Sequence, residues 1–102
     1  MKIGYLYIIT NDVFPGWVKV GTTTNLTDRL HVYQTSDPFR RYKIVYFLHH
    51  PEFRQAEKKI KETMKHFALE IKGEWYKIDL NMAKSRLEEQ LDEYHAKVAE
   101  LK

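Results

Sequence analysis

Two β-prone runs separated by turn formers fix how this chain can begin to fold. Residues 3–10 (IGYLYIIT) are β-branched and aromatic, residues 17–20 (WVKV) alternate large apolar with polar, and Asn11-Asp12 and Pro15-Gly16 lie between them. The pattern predicts a β-hairpin. With a side-chain period of two, Ile3, Tyr5, Tyr7 and Ile9 share one face and Leu6 and Ile8 the other, while Trp17 and Lys19 oppose Val18 and Val20. One face of the hairpin is therefore aliphatic and the other carries hydroxyls and an amine.

Downstream the period changes to that of helices. Asn25, with Asp28 three residues on, reads as an N-cap and acidic first turn. It opens a helix over Leu26 to Gln34, with Leu26, Leu30 and Tyr33 as its apolar stripe and Arg29 beside it. Ser36-Asp37-Pro38 stops it, because the residue before proline avoids the α region. Residues 42–48 (YKIVYFL) are apolar on both faces, which predicts a central strand covered above and below. Pro51 stands where a helix can begin. From Glu52 to Leu69 the positions Phe53, Ala56, Ile60, Met64 and Phe67 recur at helical steps, with Lys58, Lys59, Lys61 and Lys65 outside and Glu57 within the apolar arc.

Gly73 and the stretch Trp75 to Ile78 predict a further turn and a final edge strand, after which Asp79 or Asn81 caps a terminal helix. Leu87, Leu91, Tyr94, Val98 and Leu101 then form a short heptad-like seam. That seam suits packing on its own sheet, or a homodimer through Leu87, Leu91, Tyr94 and Val98. The order ββαβαβα gives the fold class α+β, a small antiparallel three-stranded sheet flanked by helices, with a C-terminal helix.

Composition bounds the rest. A chain of 102 residues with 43% hydrophobic residues fits one compact domain and not a multidomain enzyme. The absence of cysteine excludes disulfides, thiolate zinc sites and a cysteine nucleophile, and is expected of an intracellular protein. No apolar run is long enough for a membrane span or a secretory signal. Residues 1–72 hold 12 basic and 7 acidic groups, net +5, whereas residues 73–102 hold 5 and 7, net −2. An anionic partner is expected to meet the first 72 residues.

Four polar residues stand where a purely structural design would prefer apolar ones: Tyr7 and Lys19 on one hairpin face, Arg29 beside a helix stripe, and Glu57 on another. Each has an ordinary reading. Glu57 can pair with Lys61 four positions on, Arg29 can cover Leu26 with its stem, Tyr7 can be a strand aromatic, and Lys19 an exposed strand residue. Read jointly they are a cation pair, a phenol and a carboxylate. Those are the groups that phosphodiester hydrolysis needs to activate water, hold a divalent ion and neutralise charge on phosphorus. The row Arg54, Lys58, Lys61 and Lys65 is spaced for one helix face and can follow a nucleic-acid backbone. His49, His50 and His66 lack the spacing of a zinc site and read as solvated or phosphate-contacting residues.

Gly4-Tyr5-Leu6-Tyr7-Ile8-Ile9-Thr10-Asn11, Val18-Lys19-Val20-Gly21, Asn25-Leu26 with Arg29-Leu30, Ala56-Glu57, Phe67 and Glu74-Trp75-Tyr76 together resemble the GIY-YIG nuclease superfamily, especially its small phage-associated branch. The resemblance spans roughly residues 4–79. It implies a nuclease domain over 1–79, with 80–102 as a helix of the same domain or a dimer seam. The implied activity is a DNA endonuclease dependent on one Mg²⁺ ion, with Mn²⁺ able to substitute, leaving 5′-phosphate and 3′-hydroxyl ends.

The resemblance also implies roles. Tyr7 helps to activate the attacking water, Lys19 stands where many members have tyrosine and steers phosphate or lowers the Tyr7 pKa, and Gly21 permits close backbone approach. Arg29 contacts the scissile phosphate, Tyr33 assists proton transfer, and Glu57 is the sole carboxylate ligand of the metal. DNA contacts are expected from Lys19, Arg29, Arg54, Lys58 and Lys61. Tyr5 occupies a motif glycine on the same face as Tyr7, so either phenol can point into the site, and the motif favours Tyr7. The altered positions 5 and 19 keep a second reading open, a catalytically inactive module of the same fold that binds DNA or protein; an RNA nuclease is a third.

Overall fold

The computed structural model describes residues 4–101; Ile3, assigned above to the first strand, lies outside them. Their order is β1 (Tyr5–Asn11), β2 (Trp17–Thr23), α1 (Leu26–Thr35), β3 (Tyr42–His49), α2 (Phe53–Phe67), β4 (Glu70–Lys72), β5 (Trp75–Lys77) and α3 (Leu80–Glu100). The class is α+β, as expected. The sheet, however, has five strands in the order β3-β1-β2-β5-β4, all antiparallel to their neighbours, where three were expected.

Three corrections follow from that order. β4 is only three residues long and all of them are exposed, so its strand state comes from pairing with β5 across a two-residue turn led by Gly73 at φ +58. β5 is not the edge strand, because it lies between β2 and β4. β3 is an edge strand, and β2 takes the central place with β1 between it and β3. A bulge opposite Ile8 and Ile9 inserts one extra β3 residue. Val45, Tyr46 and Leu48 pack against the core, which explains the apolar run without a central position.

The aliphatic hairpin face forms the core. Leu6, Ile8, Val18 and Val20 meet Ala56, Ile60 and Met64 of α2 and Ala83 and Leu87 of α3. Each fully buried large side chain contributes about 1.5–3 kcal/mol of hydrophobic stabilisation. Gly4 matters at the start of this layer, because a Cβ there would overlap the Phe53 ring that opens α2. α3 begins where Asp79 accepts a hydrogen bond from the Met82 amide at 3.2 Å. The first seam residue, Leu87, is wholly buried on its own sheet, while Leu91, Tyr94 and Val98 are half-buried.

His50 is not solvated: it is 3% exposed. Its Nδ1 accepts from the Glu52 amide at 2.9 Å, which leaves Nε2 as the donor to the Gln90 carbonyl at 3.1 Å. The ring thus ties the start of α2 to α3, with Tyr94 against it. His49 and His66 are exposed.

The other sheet face carries only α1. No α1 residue is fully buried, and Leu26, Leu30 and Tyr33 are half-buried against the sheet. What anchors the helix is at its ends. Asn25 accepts from the Asp28 amide at 3.0 Å, as expected. Buried Asp37 accepts from the amides of Phe39 and Arg41, the Arg41 guanidinium and the Asn11 side chain. Arg41 foremost, with those amides, holds the Asp37 carboxyl well below the usual carboxylate range despite burial. Among the described residues no helix is long and apolar enough to cross a membrane.

Candidate active site

β5 pairs with β2 only from Trp17 to Lys19. The outer edge of Val20–Thr23 is therefore uncovered, and a polar cleft of about 250 Å³ opens across it. Tyr7, Lys19, Gly21, Arg29 and Tyr33 line it from the α1 side of the sheet, and Glu57 and Lys61 reach it from α2. An uninterrupted sheet would keep these two groups apart; the short ladder lets them meet around a strand edge.

Tyr7 is 2% exposed, and its hydroxyl lies 3.2 Å from that of Tyr33, which stands one α1 turn beyond Arg29. A Cβ at Gly21 would overlap the Tyr7 hydroxyl and ring, so only glycine opposite Tyr7 lets the phenol lie across β2. Tyr5 points elsewhere, edge-on to Phe47 and His49. The cleft phenol is Tyr7.

Burial raises the Tyr7 pKa first, and the hydrogen bond to Tyr33 raises it further, so the phenol is neutral. This corrects the expectation that Lys19 lowers it. Lys19 instead pairs with Glu74 at 3.1 Å and lies 5.4 Å from the centre of the Tyr33 ring. Burial pulls the Lys19 ammonium down, but Glu74 and Tyr33 outweigh it and the net shift is upward. Lys19 thus stays cationic. The hydrogen bond and charge of Lys19, then the charge of Lys61, lower the Glu74 carboxyl, so it stays anionic.

Glu57 is half-buried and pairs with Lys61 at 3.4 Å; Lys61 also lies 3.9 Å from Glu74. Both the ordinary reading, an i, i+4 pair, and membership of the cleft hold for Glu57. Arg29 is exposed at the cleft and makes no ion pair among the described residues, which leaves its guanidinium open to an incoming anion. The structure thus brings together Tyr7, Lys19, Arg29, Tyr33, Glu57 and Lys61. It leaves Arg54 and Lys58 outside, exposed along α2, with the Arg54 guanidinium 5.7 Å from the Phe53 ring centre.

Glu74 is the group that sequence reasoning missed. Its signal was present in Glu74-Trp75-Tyr76, but its place beside Lys19 depends on the pairing of Trp75 with Lys19, which an edge-strand reading does not supply.

Among the described residues no three His, Asp or Glu side chains gather as a metal cluster. Two carboxylates lie on the wall of this open polar cleft, Glu57, paired with Lys61, and Glu74, paired with Lys19 and Lys61. That fits magnesium, which retains water and takes substrate oxygens around one or two carboxylates.

The sequence matches the T5orf172 domain family over residues 4–97, and the chain belongs to that family, a phage-associated one related to nuclease-associated modules. No curated protein and no solved structure matches the chain.

Proposed function

We propose that the protein is a DNA endonuclease of GIY-YIG type, hydrolysing phosphodiester bonds with a single Mg²⁺ held by Glu57. The observation that carries this reading is the convergence of a neutral phenol, a guanidinium without an ion pair among the described residues, and a carboxylate from three separate segments on one cleft. Arg29 takes two oxygens of the scissile phosphate with its planar fork, and Lys19 adds a second positive charge from the sheet. Tyr7 orients the attacking water, whose proton passes from hydroxyl to hydroxyl through Tyr7 and Tyr33 to bulk solvent at the open mouth of the cleft. Glu57 would hold the Mg²⁺, which when bound supplies Lewis-acid stabilisation of charge on phosphorus. Lys61 balances Glu57 until the ion and substrate arrive.

The test is nicking of supercoiled plasmid with Mg²⁺ or Mn²⁺. The wild-type protein is expected to convert plasmid to open circles, and Glu57→Ala to lower that rate at least about a hundredfold. Unchanged nicking by Glu57→Ala refutes the assignment. Salt-sensitive DNA binding by the wild type with no cut strand under either ion would instead favour the inactive binding module.

A further inference from the structure

A second feature shares the sheet face with the cleft. Directly paired residues present their side chains on one side of a sheet, so the pairs Lys19 with Trp75, Trp17 with Lys77 and Lys72 with Trp75 put Trp17, Trp75, Lys72 and Lys77 on the face of Lys19. Phe14, in the hairpin turn, is 42% exposed and meets Trp75 edge-on at 5.4 Å. Trp75 also lies 6.4 Å from Tyr42 with the rings 31° apart, and Tyr42 lies 5.2 Å from Tyr33 in the cleft. Phe14, Trp17, Trp75 and Lys72 enclose an open groove of about 310 Å³. The aromatic path from Tyr33 to this groove is continuous.

We propose that this groove is a base-stacking platform, which takes an unpaired nucleobase of the strand whose phosphate lies in the cleft; the inference rests on the nuclease reading. Aromatic planes bind bases of any sequence by stacking, and nearby cations follow the backbone. The charge is complementary. Lys72 lies 5.8 Å from the Trp17 ring and its only partner among the described residues is exposed Glu70, a weak pair, while Lys77 is exposed and makes no ion pair among them. Trp17 stands two residues from Lys19 along β2, about 7 Å, so a phosphate held at Lys19 delivers its neighbouring base to the groove. A continuous duplex keeps its bases stacked on each other and cannot use the platform. The substrate class this selects is therefore one with an unpaired stretch beside the cut.

The chain has two tryptophans, Trp17 and Trp75, and both are in the groove, so its intrinsic emission reports on the platform directly. Single-stranded oligonucleotide (oligo-dT and oligo-U) titrated with EDTA present, so that no cleavage occurs, is expected to quench that emission. A strand of the same length with abasic sites should bind about tenfold more weakly, within the range for loss of one stacked base, and quench little. Phe14→Ala, a substitution in an exposed turn, should weaken the base-bearing strand several-fold and leave duplex affinity unchanged.

Equal affinity and quenching for abasic and base-bearing strands would overturn the platform, as would quenching by a proline-rich peptide but by no oligonucleotide. Base-dependent quenching with no cleavage, under Mg²⁺ or Mn²⁺, of either plasmid or a duplex carrying an unpaired stretch defeats the nuclease reading alone. Nicking without base-dependent quenching defeats the platform alone.

Discussion

Gly21→Ala is the sharpest perturbation of the site, because it adds one methyl group at a position remote in sequence from the residue it displaces. The added Cβ would overlap the Tyr7 hydroxyl and its ring carbon, with a further ring atom at 3.0 Å. Tyr7 is 2% exposed, packed edge-on to Tyr33 and hydrogen-bonded to it, so the ring has no free direction in which to retreat. Overpacking of this kind costs about 1–3 kcal/mol. Breaking the contact between hydroxyls adds about 0.5–1.5 kcal/mol. For a domain of this size 1 kcal/mol moves Tm by roughly 4–8 °C, so a combined cost of about 1.5–4.5 kcal/mol should lower Tm by about 6–36 °C.

Two assays separate packing from chemistry. In the background Tyr7→Leu, where no ring reaches Gly21, the alanine substitution should cost at least about 1 kcal/mol less than in the wild type, because neighbours in contact are not additive. In a plasmid-nicking assay below the lowered Tm, Gly21→Ala should lose at least about tenfold in rate, since the displaced phenol no longer orients water. A Tm within about 1 °C of wild type, or the same cost in both backgrounds, would refute the claim that glycine is required for the seat of Tyr7.

Two further outcomes test the anchors of the cleft. Arg29→Lys keeps the charge but loses the two-pronged contact, and because Arg29 is exposed and unpaired among the described residues it should lower nicking at least about tenfold while leaving Tm within about 1 °C. Asp37 has a folded pKa below its unfolded value, so its contribution to stability is present above about pH 4 and is lost as pH falls through the lower folded value. Acid titration followed by circular dichroism should therefore show stability falling below about pH 4, with Asp37→Asn flattening that fall and lowering stability at pH 7; a variant with the wild-type acid profile would refute the role.

The parts of the fold that local chemistry dictates were legible. The hairpin alternation of Leu6, Ile8, Val18 and Val20, the Asn25 cap and the Ala56-Ile60-Met64 stripe all lead directly to observed elements and to the core. What was not legible is set by pairing between distant segments. Glu70–Lys72 is too short to show a period of its own, and residues 42–48 are apolar on two sides although β3 lies at the sheet edge, with Val45, Tyr46 and Leu48 on the core and α1 on the other face.

The candidate site divides in the same way. Tyr7, Arg29 and Glu57 could be selected from residue type and motif order, but the choice between Tyr5 and Tyr7 needed the empty space over Gly21. Glu74 stood in a quoted motif, but its pairing with Lys19, like the burial of His50, is set by contacts across the sheet and between helices that join segments far apart in the chain.

The ladder between β2 and β5 stops after three rungs, and that brevity sets the width of the entrance to the cleft. Two more residues of regular pairing would satisfy the bare backbone of Val20–Thr23 and stiffen the molecule, yet would wall Glu57 off from Arg29. Natural variation that lengthens the β4–β5 hairpin at its Gly73-Glu74 turn should thus seal the cleft without replacing Arg29 or Glu57. In this architecture the count of hydrogen bonds at one margin acts as the aperture.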